Sequence, residues 1–290
     1  MQSLPLWVSL VVALAVVPPA VRGLRAQGFL RENYRGALVA FPGGVAAVAA
    51  AVVALIPLSL VAELGDADVF TSDAGTVAFY GLGVALLGAL DDLIGSGALV
   101  PNGATASAPE RPRGWRGHAR ATLVGSFSTG ALKAAGALGL ALFVLQGRGL
   151  SAGEYLLAAA VLVLATNLFN LLDLRPGRSL KALVLLGAGL TIGARDADPL
   201  WSVGMFVGPL LVLMPFDLRE QAMLGDTGSN LAGAVAGLWI VLALGTLGQA
   251  IALGVMAVLT IYGEFRSISQ LIERTPLLRS LDSLGRATHA

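Results

Sequence analysis

The chain contains no cysteine, which excludes disulfides, thiolate metal sites and cysteine nucleophiles together. Its histidines number only two, His118 and His289, so no imidazole cluster can bind a borderline metal. Charge is scarce as well: 13% of residues are charged, and a net charge of +1 gives no overall pull toward nucleic acid. No repeat of fixed period is visible. What is abundant is apolar surface, with 56% hydrophobic residues and a mean hydropathy of +0.79, the composition of an all-α polytopic integral membrane protein rather than a soluble globule. The 37 glycines lie mostly inside apolar runs, where small residues let helix backbones approach closely in lipid.

Stretches of about 17–25 apolar residues predict nine transmembrane helices near 4–22, 37–62, 75–95, 128–146, 153–172, 180–194, 199–216, 229–245 and 247–263. Residues 1–263 read as one multi-span membrane domain, and 264–290 as an amphipathic cytoplasmic tail. Alternating sides from an external N-terminus places 17 of the 19 Lys and Arg residues on one side, leaving only Arg148 and Arg195 on the other. The positive-inside rule then puts the N-terminus outside and the C-terminus in the cytoplasm. Residues 1–22 lack a cationic leader, and Arg22 and Arg25 follow the apolar run rather than precede it, so the segment reads as a retained span and not a cleaved signal peptide.

With that topology, Asp91, Asp92, Asp173 and Asp226 fall at the cytoplasmic ends of their spans. Acids at membrane helix ends are costly unless they bind something, so their convergence on one face marks a functional site. Oxygen ligands without His or Cys favour a hard cation, and Mg²⁺ takes one or two carboxylates together with substrate phosphates. Gly225-Asp226-Thr227-Gly228-Ser229 opens a span whose free N–H groups can hold an anion, although the same residue types also serve as plain helix caps. Lys133 stands near the start of an apolar helix, where it either snorkels or neutralises acids or phosphate. Asn167, Asn170 and Asp173 recur every three residues along one stripe, read as a polar ligand site, with Arg175, Arg178 and Lys181 following as cations for phosphate.

These motifs resemble those of the polyprenyl-phosphate N-acetylhexosamine-1-phosphate transferases. Asn33-Tyr34-Arg35-Gly36 with Phe41-Pro42-Gly43-Gly44 looks like the family's first cytoplasmic loop, GALDDLIG like its paired-acid motif and TGALKAAG like its lysine helix. NLFNLL-Asp173 and MLGDTGSN look like its second and third polar motifs. The resemblance implies a bacterial plasma-membrane enzyme with its active site facing the cytoplasm, in which polyprenyl phosphate attacks the β-phosphorus of a UDP-amino sugar and releases UMP. It implies Mg²⁺ held by Asp226 and Asp92, catalytic roles for Asp91, Asp92 and Asp226, and substrate binding by Lys133, Asn167, Asn170 and Asp173. It leaves open a homodimer and the identity of the sugar. The phosphate nucleophile has a second pKa of about 6, so bringing two anions together is a larger problem than removing a proton.

Departures from the pattern are specific. Asp173-Leu174-Arg175-Pro176-Gly177 lacks the family's first Gly and second Asp in this motif, and no histidine cluster is present. Arg116 and His118 in RGWRGHAR are candidates to substitute in part, or belong to a solvated basic loop. Two rival classes stand beside the transferase. One is a degenerate relative that binds lipid phosphate or nucleotide without turnover. The other is a secondary transporter, disfavoured because the acids sit at helix ends rather than midplane and no repeat is seen. The D-x-x-D-G-x-x-A-R run of CDP-alcohol phosphotransferases is absent.

Overall fold

The computed structural model describes residues 1–95 and 129–287. These residues form helices α1 (Leu4–Ala26), α2 (Gly44–Leu64), α3 (Ala74–Leu90), α4 (Thr129–Val144), α5 (Ala152–Leu172), α6 (Arg178–Ala194), α7 (Asp198–Leu218), α8 (Gly225–Ala243) and α9 (Thr246–Phe265). A π turn over Asp91–Gly95 continues α3, and two short helices, α10 (Ile268–Arg274) and α11 (Pro276–Ser283), close the chain. Six helices, Leu4–Ala26, Gly44–Leu64, Ala74–Ile94, Ala152–Leu172, Asp198–Leu218 and Thr246–Phe265, are long and apolar enough to cross a membrane, and Gly130–Val144 is apolar but shorter. Together they fit a multi-pass membrane protein. α6 has 17 residues, and α8 opens on the polar run Gly225–Asn230; these two occupy the other positions where spans were expected.

One departure from an all-α chain lies before α2. Strands β1 (Leu30–Glu32) and β2 (Leu38–Ala40) form an antiparallel hairpin in which Arg31 faces Val39. The span expected from residue 37 therefore starts at Gly44, because the apolar run Ala37–Phe41 is spent on β2 and its bridge to Ala222. Asn33 builds the turn: its Oδ1 accepts from the N–H groups of Arg35 at 2.9 Å and Ala37 at 3.0 Å. This is the local backbone bonding that makes Asn a turn former.

α8 is the central element. It packs against α2, α3, α5, α6 and α7, and its residues Thr227–Ile240 are buried on every side. A helix that is apolar all round belongs in the interior. Lipid supplies no hydrophobic drive between helices, so contact depends on close van der Waals fit through small side chains, here Ala232, Ala234 and Ala236 with the intervening glycines. Gly88 of α3 shows what that fit requires: a Cβ there would overlap the backbone of Asp226 and Thr227. The absent side chain is what brings the C-terminal end of α3, with Asp91 and Asp92, against the N-terminal end of α8. At the other end of the bundle α5 starts in a capping box, with Ser151 and Glu154 bonded reciprocally, and Arg148 pairs with Asp73.

Candidate functional site

The two acids of the Asp91-Asp92 pair do different things. Asp92 is buried, 4% exposed. Its Oδ1 accepts from the Asp226 N–H at 2.9 Å, and its Oδ2 accepts from the Thr227 N–H at 2.8 Å and the Thr227 hydroxyl at 2.6 Å. It caps the first turn of α8, where free N–H groups and the positive dipole end favour a carboxylate. The metal role that the resemblance gives Asp92 thus fits poorly, because both its oxygens are committed to α8. Asp91, one residue earlier, reaches the other way: the Lys133 ammonium donates to Asp91 Oδ2 at 3.2 Å and to Asp226 Oδ2 at 2.6 Å.

Asn170 completes this cluster. With its amide turned to satisfy both neighbours, Nδ2 donates to Asp226 Oδ1 at 3.2 Å and Oδ1 accepts from Lys133 Nζ at 2.8 Å. Three motifs that looked separate, from α3, α4 and α8, meet with a fourth from α5 at one ammonium. Asn167, expected on the same stripe, is instead exposed and away from the cavity. A step of three residues falls short of a full helical turn by about 60°, so the stripe rotates and only its C-terminal part, Asn170 and Asp173, lines the cavity.

Beside the cluster lies a cavity of about 330 Å³, to which Asn170 and Asp226 contribute. One wall is the hairpin, with Arg31, Glu32, Asn33, Tyr34 and Phe41; the other is the turn after α5, with Asp173, Leu174, Arg175 and Pro176, together with Asp217 of α7. The Arg31 guanidinium lies 4.7 Å from the centre of the Phe41 ring, and that of Arg175 lies 4.2 Å from the centre of the Tyr34 ring. Both cations are held over aromatic faces, which orients them, and Arg175 also lies 3.7 Å from the Glu273 carboxylate. Burial, with the charges of Asp217, Asp226 and Asp92, pushes the Asp173 carboxyl well above the usual carboxylate range. Asp217 is buried and accepts from the Gly177 N–H at 2.7 Å.

Of the three cations expected to serve phosphate, only Arg175 lines the cavity. Arg178 and Lys181 point to the C-terminal helices: Arg178 binds Asp282, and Lys181 donates to the carbonyls of Leu281 and Asp282. Arg116 and His118 lie outside the described residues. The sequence marked Asn33 and Tyr34 only as part of a loop motif, and gave no site role to them, to Arg31 or to Glu220. Glu220 holds the hairpin in place, accepting from Asn33 Nδ2 at 2.7 Å and pairing with Arg35 at 3.6 Å. The signal available was the Asn33-x-x-Gly36 turn between two short apolar runs, which marks a hairpin.

Among the described residues no group of three or more His, Asp or Glu side chains is arranged to hold a metal. A Mg²⁺ site of the kind that relies on substrate phosphates needs fewer: Asp91 and Asp226 already direct two carboxylate oxygens at a single cation, the Lys133 ammonium. Asp91 rather than Asp92 thus stands beside Asp226 as a candidate Mg²⁺ ligand, at a position that the Lys133 ammonium shares. No protein-family model matches the chain, and no curated protein matches it.

Proposed function

We propose that the protein transfers a sugar 1-phosphate from a UDP-N-acetylhexosamine to polyprenyl phosphate at the cytoplasmic face of a nine-span bacterial plasma-membrane protein, releasing UMP. The observation that carries this reading is the Lys133 ammonium bracketed by Asp91, Asp226 and Asn170 at the edge of a cavity whose walls present Arg31 and Arg175. Acids and bases interleaved beside an anion-sized cavity suit a reaction in which two phosphates must approach each other.

An oxygen of the lipid phosphate forms a bond to the β-phosphorus of the nucleotide sugar, and the bond from that phosphorus to the bridging oxygen breaks, so UMP leaves with the electron pair. The nucleophile is largely dianionic near neutral pH, so a general base is secondary. Lys133 offsets the repulsion between Asp91 and Asp226 and stands ready for a phosphate oxygen. Asn170 fixes the Asp226 carboxylate, and Asp92 holds the α8 N-terminus that presents it. Arg31 and Arg175 supply guanidinium donors for the nucleotide phosphates. Asp226 and Asp91 are the residues that would hold Mg²⁺, whose contribution would be charge neutralisation of the pyrophosphate.

UMP release from UDP-N-acetylglucosamine with undecaprenyl phosphate and Mg²⁺ tests the reading, and no turnover with any UDP-amino sugar would sink it. One observation favours a second reading, a lipid-phosphate or nucleotide binder without turnover: Arg178 and Lys181 are engaged by the C-terminal helices and do not line the cavity. Turnover that is lost in Asp226→Ala excludes that alternative.

A further inference from the structure

The cavity wall formed by residues 173–176 is fastened from behind by the C-terminal helices. Arg178 is 5% exposed, and its guanidinium donates through Nε to Asp282 Oδ1 at 3.0 Å, through Nη2 to Asp282 Oδ2 at 3.2 Å and through Nη1 to the Ser269 hydroxyl at 3.0 Å. This is the bidentate fork that makes an arginine and carboxylate pair directional. Arg286 pairs with the same carboxylate and donates through Nε to the Pro176 carbonyl at 3.0 Å. The Lys181 ammonium reaches the Asp282 carbonyl at 2.6 Å, and the Ala287 N–H reaches the Leu218 carbonyl at 3.2 Å. Arg175, on the cavity side of the turn, lies 3.7 Å from Glu273 of α10.

Gly177 has φ +73°, a conformation that leaves no room for a side chain against Leu218, and its N–H is tied to Asp217. The chain ends where helices of 7 and 8 residues, α10 and α11, are too short to be stable alone. Their order depends on docking: apart from the Arg178 bond to Ser269, the hydrogen bonds given above that dock them to α6 and to the turn come from Leu281, Asp282 and Arg286.

We propose that the C-terminal segment Ile268–Ala287 is a positioning element for the substrate cavity, in which Asp282 holds Arg178 and Arg286 so that the 173–177 turn presents Asp173 and Arg175 to the nucleotide. Among the described residues, Asp282 forms its hydrogen bonds and ion pairs with Arg178, Lys181 and Arg286, none of which lines the cavity, and it acts through the turn. The inference rests on the proposed nucleotide site.

The test uses the full-length protein in detergent and the variants Asp282→Ala, Asp282→Asn and Asp282→Glu. Hydrogen exchange over residues 173–181 reads positioning, and affinity for UDP-N-acetylglucosamine reads its consequence. Loss of the charge-assisted fork is expected to speed exchange there by about tenfold and to weaken nucleotide-sugar affinity by a similar factor in both Ala and Asn variants. KM rises while kcat changes little, and Asp282→Glu recovers most of the loss. Exchange over 173–181 that stays at the wild-type rate in Asp282→Asn, a variant that keeps the side-chain volume, overturns the proposal. Fast exchange in the variants with no nucleotide-sugar binding by the wild type keeps the fastening and overturns the functional reading instead.

Discussion

Asp91 and Asp92 are adjacent in sequence and opposite in role. A π turn points Asp91 at Lys133 and Asp92 at the first N–H groups of α8. This separation is testable at the level of single atoms. Asp91→Asn and Asp226→Asn are each expected to lower UMP release by about 10²–10³-fold, the range for removing one preorganised electrostatic group, with the thermal midpoint little changed. Asp92→Ala is expected instead to unfold more easily by about 1–3 kcal/mol, because two backbone N–H groups and the Thr227 hydroxyl lose a buried acceptor, measured by thermal denaturation in detergent. A fall in activity for Asp92→Ala with unchanged stability would remove its assignment as a cap.

At the scale of elements, the site depends on how closely α3 approaches α8. Gly88→Ala places a methyl against the backbone of Asp226 and Thr227, and overpacking of this kind costs about 1–3 kcal/mol. The expected outcome is a lowered unfolding midpoint together with lost activity, since the shift carries Asp91 away from Lys133. The C-terminal helices carry a pH dependence. Burial acts to raise the Asp282 carboxyl, but the hydrogen bonds and charge of Arg178, with the charges of Arg286 and Lys181, outweigh it and hold the carboxyl below its usual range. A depressed folded-state value means that docking is fully stabilised above the unfolded value of about 4 and is lost as pH falls through the lower folded value. Protease protection of the segment should therefore be flat from neutral pH to about 5 and fall below about 4. Asp282→Asn should show weak protection at every pH.

For the whole molecule, the expected orientation places the proposed site and the C-terminal helices in the cytoplasm. The absence of cysteine makes this easy to examine, because any introduced thiol is unique. Exposed Asp68, in the loop before α3, and exposed Ser280 of α11 lie on opposite sides in the nine-span topology. A membrane-impermeant maleimide is expected to label Asp68→Cys in intact cells and Ser280→Cys only after permeabilisation. The reverse pattern would overturn the orientation and, with it, access of a cytoplasmic nucleotide sugar to the cavity.

Apolar run length and charge placement are local properties, and they determined most of the helices and the gathering of Asp91, Lys133, Asn170 and Asp226 at comparable depth. The Asn33-x-x-Gly36 turn hinted at a hairpin, but the three-residue strand β2 inside the run Ala37–Phe41 looks like the start of a span until Ala40 is seen paired with Ala222. Only tertiary packing decided which acid of the pair meets Lys133, because the π turn splits two neighbours onto different faces. Packing also gave Arg178 and Lys181 to the chain's own C-terminal helices. In each case the deciding interaction joins residues far apart in sequence, and the partner of a charge is a matter of three-dimensional distance that no local pattern encodes.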